Sequence, residues 1–498
     1  VEMVRVSTLL VCLGAILVLS SCAFVEAARR TKHEECTSMR TPRASLFSVQ
    51  ALTYQQRLDH YNHQDDRTWT QRYWIEEQYW SGAQAGGPIF LQLGGEGPEN
   101  SRIVTSMQMS VYAQTHRALQ VGVEHRYYGQ SQPRADLSTD NLQWLSSQQA
   151  LADAAELILY VREKYKAYNS PIITFGCSYS GALAAFFRLK YPHITMGSVA
   201  SSAPVEATLD FYEYLDVVDK SLSYFVGPQC DAAILKATND IQAMLQTPSG
   251  TAQLQQKFRV CQPFAGKKDI STFMQNLMGN WQGQVQYNLE TPSYNVSALC
   301  SQLTSRIARG MSHVDAYAEV SNTFIAPAPC LDCSYHNMVT EMQSTSTQQS
   351  MRQWTYQTCT EFAYFQTTDS DSDVQPFGNL VPVEYWIDFC TDAFGVDFKP
   401  ELKVKQTNEH YGGRKLPTTT PNNIVFVNGN IDPWHSLSIY EPIPNSPIET
   451  VFVQGTAHCA DVSLVGPSRA PPQLLAAQQR VSDIIGRWIR DFKPVPQA

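Results

Sequence analysis

The sequence predicts an α/β protein: a mostly parallel sheet covered by helices on both faces and interrupted by a helical, disulfide-held insertion. Three observations predict it. Apolar strand-like runs alternate with helical segments from 86 to 202, the texture then turns glutamine- and alanine-rich with several cysteines to about 350, and strand-like runs return at 423–428 and 450–454. With 498 residues, 43% hydrophobic and 17% charged, the chain is an ordinary globular one, large enough for one big domain with an insertion. The expected division is a leader over 1–27, the sheet domain over 28–204 and 351–498, and a helical cap over 205–350.

The leader comes first. Met3 and Arg5 precede an apolar stretch over 6–19 and the small-residue end Ala27 and Ala28, which reads as a secretory signal peptide cut near one of those alanines. Its apolar core falls short of the about 20 residues that a spanning helix needs. Residues 88–93 form a candidate strand running into Gly94, Gly95, Glu96 and Gly97, and 118–124 form another. Ser146 and Gln149 fit a capping box, after which Leu151, Ala154, Ala155, Ile158, Val161 and Tyr165 recur at helical spacing.

The strand-like run 171–175 enters Gly176, Cys177, Ser178, Tyr179 and Ser180, then a helix over 181–191 and a strand near 196–200. A strand that turns through G-x-S-x-small into a helix pushes a serine hydroxyl clear of the sheet. The insertion follows. Beyond it lie the strands 423–428 and 450–454 and an amphipathic helix over 473–492 that buries Leu474, Val481, Ile485 and Trp488.

An alcohol is a weak nucleophile at neutral pH, so a serine needs a base, and the base needs a partner that fixes its tautomer. Asp432 follows the first late strand and His458 the second. Ser, acid, His is the order in which α/β-hydrolases assemble their catalytic groups at the carboxyl ends of parallel strands. Ser178, Asp432 and His458 are therefore the expected triad, with the amides of Tyr179 and Gly95 as oxyanion donors. His435, in the same loop as Asp432, is the rival base, and Ser180 the rival nucleophile, although it lacks a leading glycine. His60 and His63 sit in a polar segment and read as surface residues.

A net charge of −9 with no basic run argues against a nucleic-acid partner. The short cluster Arg29, Arg30 and Lys32 reads as a solvated start of the mature chain. Of the 12 cysteines Cys12 and Cys22 lie in the leader; most of the other ten are expected in disulfides, the default in an oxidising compartment, and Cys330 and Cys333 read as disulfide-forming cysteines rather than a zinc site. Cys177 and Cys459 are either buried thiols or a bonded pair. Asn295, in a sequon with Ser297, is expected on the surface with a glycan.

Glu124 to Gly129, the serine elbow, Ser201 to Pro204, Asn428 to Trp434 and His458 to Asp461 together resemble the serine peptidase family of lysosomal Pro-X carboxypeptidase and dipeptidyl peptidase II. Cys330 to Ser334, Gln353 to Phe362 and Asp432 to Ser438 are most similar to its thymus-specific branch. The resemblance implies an α/β-hydrolase fold with a cap inserted between serine and acid. It also implies a serine exopeptidase acting on short peptides, often beside proline, in lysosomes, endosomes or outside the cell.

By the same likeness Cys359 pairs with Cys390, Cys230 with Cys300, and Cys261 with Cys330 or Cys333. Glu96, Glu124, Arg126 and Trp434 are the substrate-binding candidates. Two departures from the family pattern stand beside the nucleophile, Cys177 where a glycine is usual and Ser180 where the carboxypeptidase branch has glycine. Peptide substrates are the expected partners, a homodimer is left open, and no cofactor, metal, nucleic acid or membrane span is expected. The rival functions are an esterase or lipase on the same fold and a catalytically impaired binding protein.

Overall fold

The computed structural model describes residues 49–289, 293–348, 350–370, 375–416, 423–464 and 470–493. The leader, Arg29, Arg30, Lys32 and Cys36 lie outside the described residues. An eight-stranded sheet runs in the order β1 (Leu52–Arg57), β2 (Thr68–Glu76), β4 (Leu119–Val123), β3 (Ile89–Leu93), β5 (Ile172–Cys177), β6 (Gly197–Ser201), β9 (Ile424–Gly429) and β10 (Glu449–Val453). From β4 to β10 every neighbour is parallel, whereas β2 runs antiparallel to both β1 and β4. A parallel sheet covered on both faces explains why β3, β4, β6 and β9 are buried at every position instead of alternating with polar residues. The sheet order and the cap together are those of an α/β-hydrolase.

The strands share their side chains between two faces. Ile89 and Leu91 pack with Leu151, Ile158 and Leu183 of the helices Ser147–Lys164 and Tyr179–Lys190. Phe90, Ile173, Val425 and Val451 pack with Val481, Ile485 and Trp488 of the helix Pro472–Asp491. Only the serine half of the capping box forms: the Ser146 side chain accepts from the Gln149 amide, while the Gln149 side chain turns to Asp59 Oδ1 and the His60 amide.

Several features differ from the sequence reading. The antiparallel pair β1 and β2 was not foreseen, although Trp69, Gln71 and Tyr73 alternate inward along β2. His60 is no surface residue, unlike the exposed His63. Its ring nitrogen lies 2.7 Å from Asp153 Oδ1, and Asp153 in turn accepts both Nε and an Nη of the buried Arg126 at 2.7 Å. Helices also continue beyond 350, through Met351–Gln357, Val383–Phe394 and Pro400–Tyr411, so the main sheet resumes only at β9. A two-stranded parallel pair, β7 (Thr208–Asp210) with β8 (Ala363–Phe365), stitches the start of this helical region to its later part.

Among the described residues four disulfides join Cys230 to Cys300, Cys261 to Cys330, Cys359 to Cys390 and Cys177 to Cys459. Cys330 therefore takes Cys261, and Cys333 is buried. Asn295 caps the helix Val296–Ala308, its side-chain oxygen accepting from the Ala298 amide.

Candidate active site

β5 ends at Cys177 and the helix Tyr179–Lys190 begins two residues later, leaving Ser178 alone in the turn at φ 62° and ψ −132°. That conformation is costly for a residue with a Cβ and persists only where the surroundings over-determine it. They do so here. The Ser178 amide donates to Ser201 O at 3.0 Å, and a side chain on Gly176 would meet Ser180 O at 1.9 Å, so strand and helix can cross only over a glycine. Ser180 closes the turn from the other side: its hydroxyl donates to Cys177 O and accepts from the Cys177 amide, both at 2.9 Å. Its side chain is thus turned back onto the elbow.

Asp432 and His458 stand on the loops after β9 and β10, at the same sheet edge as the elbow. Asp432 Oδ1 lies 2.8 Å from His458 Nδ1 and also accepts the Trp434 amide at 3.0 Å. Asp432 is fully buried, and His458 Nε2 is buried with no hydrogen-bond partner among the described residues. His435 points elsewhere: its Nδ1 lies 2.6 Å from the main-chain oxygen of Asp432, and its ring packs on Tyr440 and Phe452. Tyr179 is the first residue of its helix, where an amide has no intrahelical acceptor. Gly95 lies over the elbow, its Cβ position 3.6 Å from Ser180 Cβ, with the Glu99 carboxyl facing its amide.

The base loop is fixed at several points. The His458 amide donates to Gln286 O at 3.0 Å, the Cys459 amide to Ser202 Oγ at 2.9 Å, and Ser201 Oγ to Asp461 Oδ2 at 2.6 Å. Gln286 is the last residue of the helix Lys267–Gln286 in the helical region, and its side-chain oxygen accepts from Trp434 Nε1 at 3.0 Å and Tyr214 OH at 2.6 Å. One glutamine thus ties that region to both triad loops. A single glutamine carries no sequence pattern, and only the folded chain reveals this one.

Of the four substrate-binding candidates, two face the site and two do not. Trp434 packs 6.3 Å from the His458 ring, and Glu96 is buried close enough to His458 to feel its charge. Glu124 instead accepts from Arg72, Ser131 and the Glu99 amide, while Arg126 donates to Asp153 and to the carbonyls of Leu58 and Trp144. Both are buried at 0% exposure, so every hydrogen bond they can offer a ligand already belongs to the fold.

Trp434 also lines an aromatic cavity with Trp354, Tyr364, Phe365, Trp386 and Phe389. Its wall includes two consecutive residues with positive φ, Ala363 and Tyr364, directly after a π-helical turn over Thr358–Phe362. Turns of this kind recur at functional sites.

Burial pushes the Glu96 carboxyl up to about 7, against the lowering influence of His458. Below its ordinary value near 4.5 the group is protonated in both folded and unfolded chains. Between 4.5 and 7 the folded chain holds a proton that the unfolded chain releases, so this group's contribution to stability falls as pH rises. The wild type should lose thermal stability relative to Glu96→Gln as pH is raised from 4.5 to 7. Melting curves of the two proteins across that window check it, and parallel curves would show that Glu96 titrates normally.

The sequence profile of the family described as serine carboxypeptidase S28 matches residues 56–481. Human thymus-specific serine protease is 36% identical over 452 residues, covering 88% of this chain and 86% of that protein. Human lysosomal Pro-X carboxypeptidase is 29% identical over 469 residues, covering 90% of each.

Proposed function

We propose, from the premise that the chain belongs to the serine carboxypeptidase S28 family and is a serine peptidase, that Ser178 is its nucleophile, His458 its base and Asp432 the partner of that base. The observation that carries the reading is the 2.8 Å contact between Asp432 and His458 at the sheet edge where Ser178 stands strained in its turn. His458 Nε2 takes the serine proton as Ser178 Oγ attacks the peptide carbonyl, then passes that proton to the leaving amine. Asp432 holds the tautomer and stabilises the imidazolium. A water deprotonated by His458 then releases the acyl group. The amides of Tyr179 and Gly95 receive the oxyanion.

The helical region, read as a cap over 205–350, roofs this edge and admits short peptides by a terminus while excluding folded proteins. The aromatic cavity beside Trp434 suits an apolar residue such as proline next to the scissile bond, in keeping with the name of the Pro-X relative. A lysosomal or secreted location accords with the disulfides and with the lysosomal relatives. The testing experiment is mass spectrometry of a mixed peptide pool after incubation with the enzyme, beside a pool blocked at both termini. Free peptides should shorten by one or two residues from an end and blocked ones should persist. Internal cuts in the blocked pool, or turnover of lipid esters alone, would overturn the exopeptidase reading.

A further inference from the structure

The residue before Ser178 and the residue after His458 are bonded to each other. Cys177 and Cys459 form a disulfide with Cα atoms 5.9 Å apart, across a sequence separation of 282. It joins the end of β5, which carries the nucleophile, directly to the loop after β10, which carries the base, although β6 and β9 lie between these strands in the sheet. Three residues with positive φ gather around it: Ser178 at 62°, Cys459 at 57° and Ser202 at 46°. Each is costly without glycine; the Ser178 and Ser202 amides are tied to Ser201 O and Val427 O, whereas the Cys459 amide is held only by a side chain among the described residues. The Ser202 hydroxyl accepts from the Cys459 amide, so the bond closes a short circuit through all three strained positions.

The bond also differs from its neighbours in access. Cys230, Cys300, Cys359 and Cys390 are each at most 1% exposed, whereas Cys177 and Cys459 are both half-buried. The remaining pair, Cys261 with Cys330, is accessible too but lies in the helical region. Thiol exchange requires access to a sulfur.

Building on the assignment of Ser178 and His458, we propose that Cys177 and Cys459 are positioning residues. Their disulfide fixes the elbow against the base loop, and a dithiol that reduces it slows hydrolysis without unfolding the chain. The exchange balances: a reductant thiolate attacks one sulfur, the other cysteine leaves as a thiolate, and the second reductant thiol displaces the mixed disulfide. Two electrons pass to the protein, both cysteines take up protons, and the reductant becomes a cyclic disulfide. Once the tie opens, Ser178 and the His458 loop relax from their strained conformations. A displacement of about 1 Å between reacting groups can cost about a hundredfold in rate.

The test treats the enzyme with dithiothreitol, caps free thiols with iodoacetamide and maps them by mass spectrometry. With Cys177 and Cys459 found reduced, kcat and the rate of fluorophosphonate labelling should both fall by about a hundredfold while KM stays within about threefold. Circular dichroism should be unchanged, and oxidised glutathione should restore the rate. Cys177→Ala/Cys459→Ala should be slow from the outset and indifferent to dithiothreitol, and Cys261→Ser/Cys330→Ser should keep the wild-type sensitivity. Full activity in enzyme mapped as reduced at both positions overturns the proposal. So does loss of the folded signal in reduced wild type and double-alanine variant alike, since the bond would then belong to the fold rather than the site. If only the double variant fails to fold, the reduced wild type decides. Labelling of oxidised wild type but not of Ser178→Ala tests the nucleophile separately, so the two failures are distinguishable.

Discussion

Replacing Ser178 with alanine should lower kcat for peptide hydrolysis by about a million-fold and abolish fluorophosphonate labelling, while the protein still folds and melts as the wild type does. The size follows from the interdependence of such a triad: without the nucleophile, base and acid have nothing to activate. Asp432→Asn should cost about ten-thousandfold, because its amide leaves His458 in the wrong tautomer with the geometry preserved. Single-turnover kinetics of the two variants on one proline-containing tripeptide measures both effects. Labelling that survives in Ser178→Ala would remove the nucleophile assignment. A strong response to His435→Ala beside a weak one to His458→Ala would move the base to the rival histidine, whose ring reaches only the main-chain oxygen of Asp432.

The largest stability effect is expected at a buried ion pair outside the proposed triad. Asp153→Ala leaves the Arg126 guanidinium buried at 0% exposure without the carboxylate that now takes two of its hydrogen bonds. Breaking a buried pair in this way costs about 3–5 kcal/mol, a large part of the roughly 5–15 kcal/mol that holds a domain together. Burial raises the Asp153 carboxyl, yet Arg126 and His60 together hold it below its ordinary value, which favours the charged form of the pair. Denaturant unfolding of Asp153→Ala against Asp153→Leu/Arg126→Met checks the claim. The double variant, which removes both charges, should recover most of the loss. Equal destabilisation of the two would mean that shape rather than charge is what the site requires.

Much of this was legible along the chain because the signals are local. Strands β3, β5, β9 and β10 are short, largely apolar runs, the serine cap at Ser146 is part of a four-residue signature, and the Ser, Asp, His order needs only that parallel strands expose their carboxyl ends together. Arg126 and Glu124 misled for a physical reason. A charged residue just after a strand that ends near the site looks available to a ligand, and only the arrival of Asp153 and Arg72 from elsewhere in the chain satisfies it. The same holds for His60, whose polar sequence surroundings hide a buried partner 93 residues away. Gln286 and the aromatic cavity lay beyond reach because their meaning comes from packing between segments, and the Cys177–Cys459 bond was legible only as one of two alternatives, because cysteine spacing does not encode connectivity.

The 282 residues that separate Cys177 from Cys459 also set a clock on biosynthesis. At the roughly 5–20 residues per second of chain growth, the elbow leaves the ribosome roughly 15 seconds to a minute before the histidine that would activate it. Throughout that interval the serine is an ordinary alcohol on an incomplete sheet. On the proposed assignment of Ser178, Asp432 and His458, the site is complete only once β9 and β10 have joined the sheet.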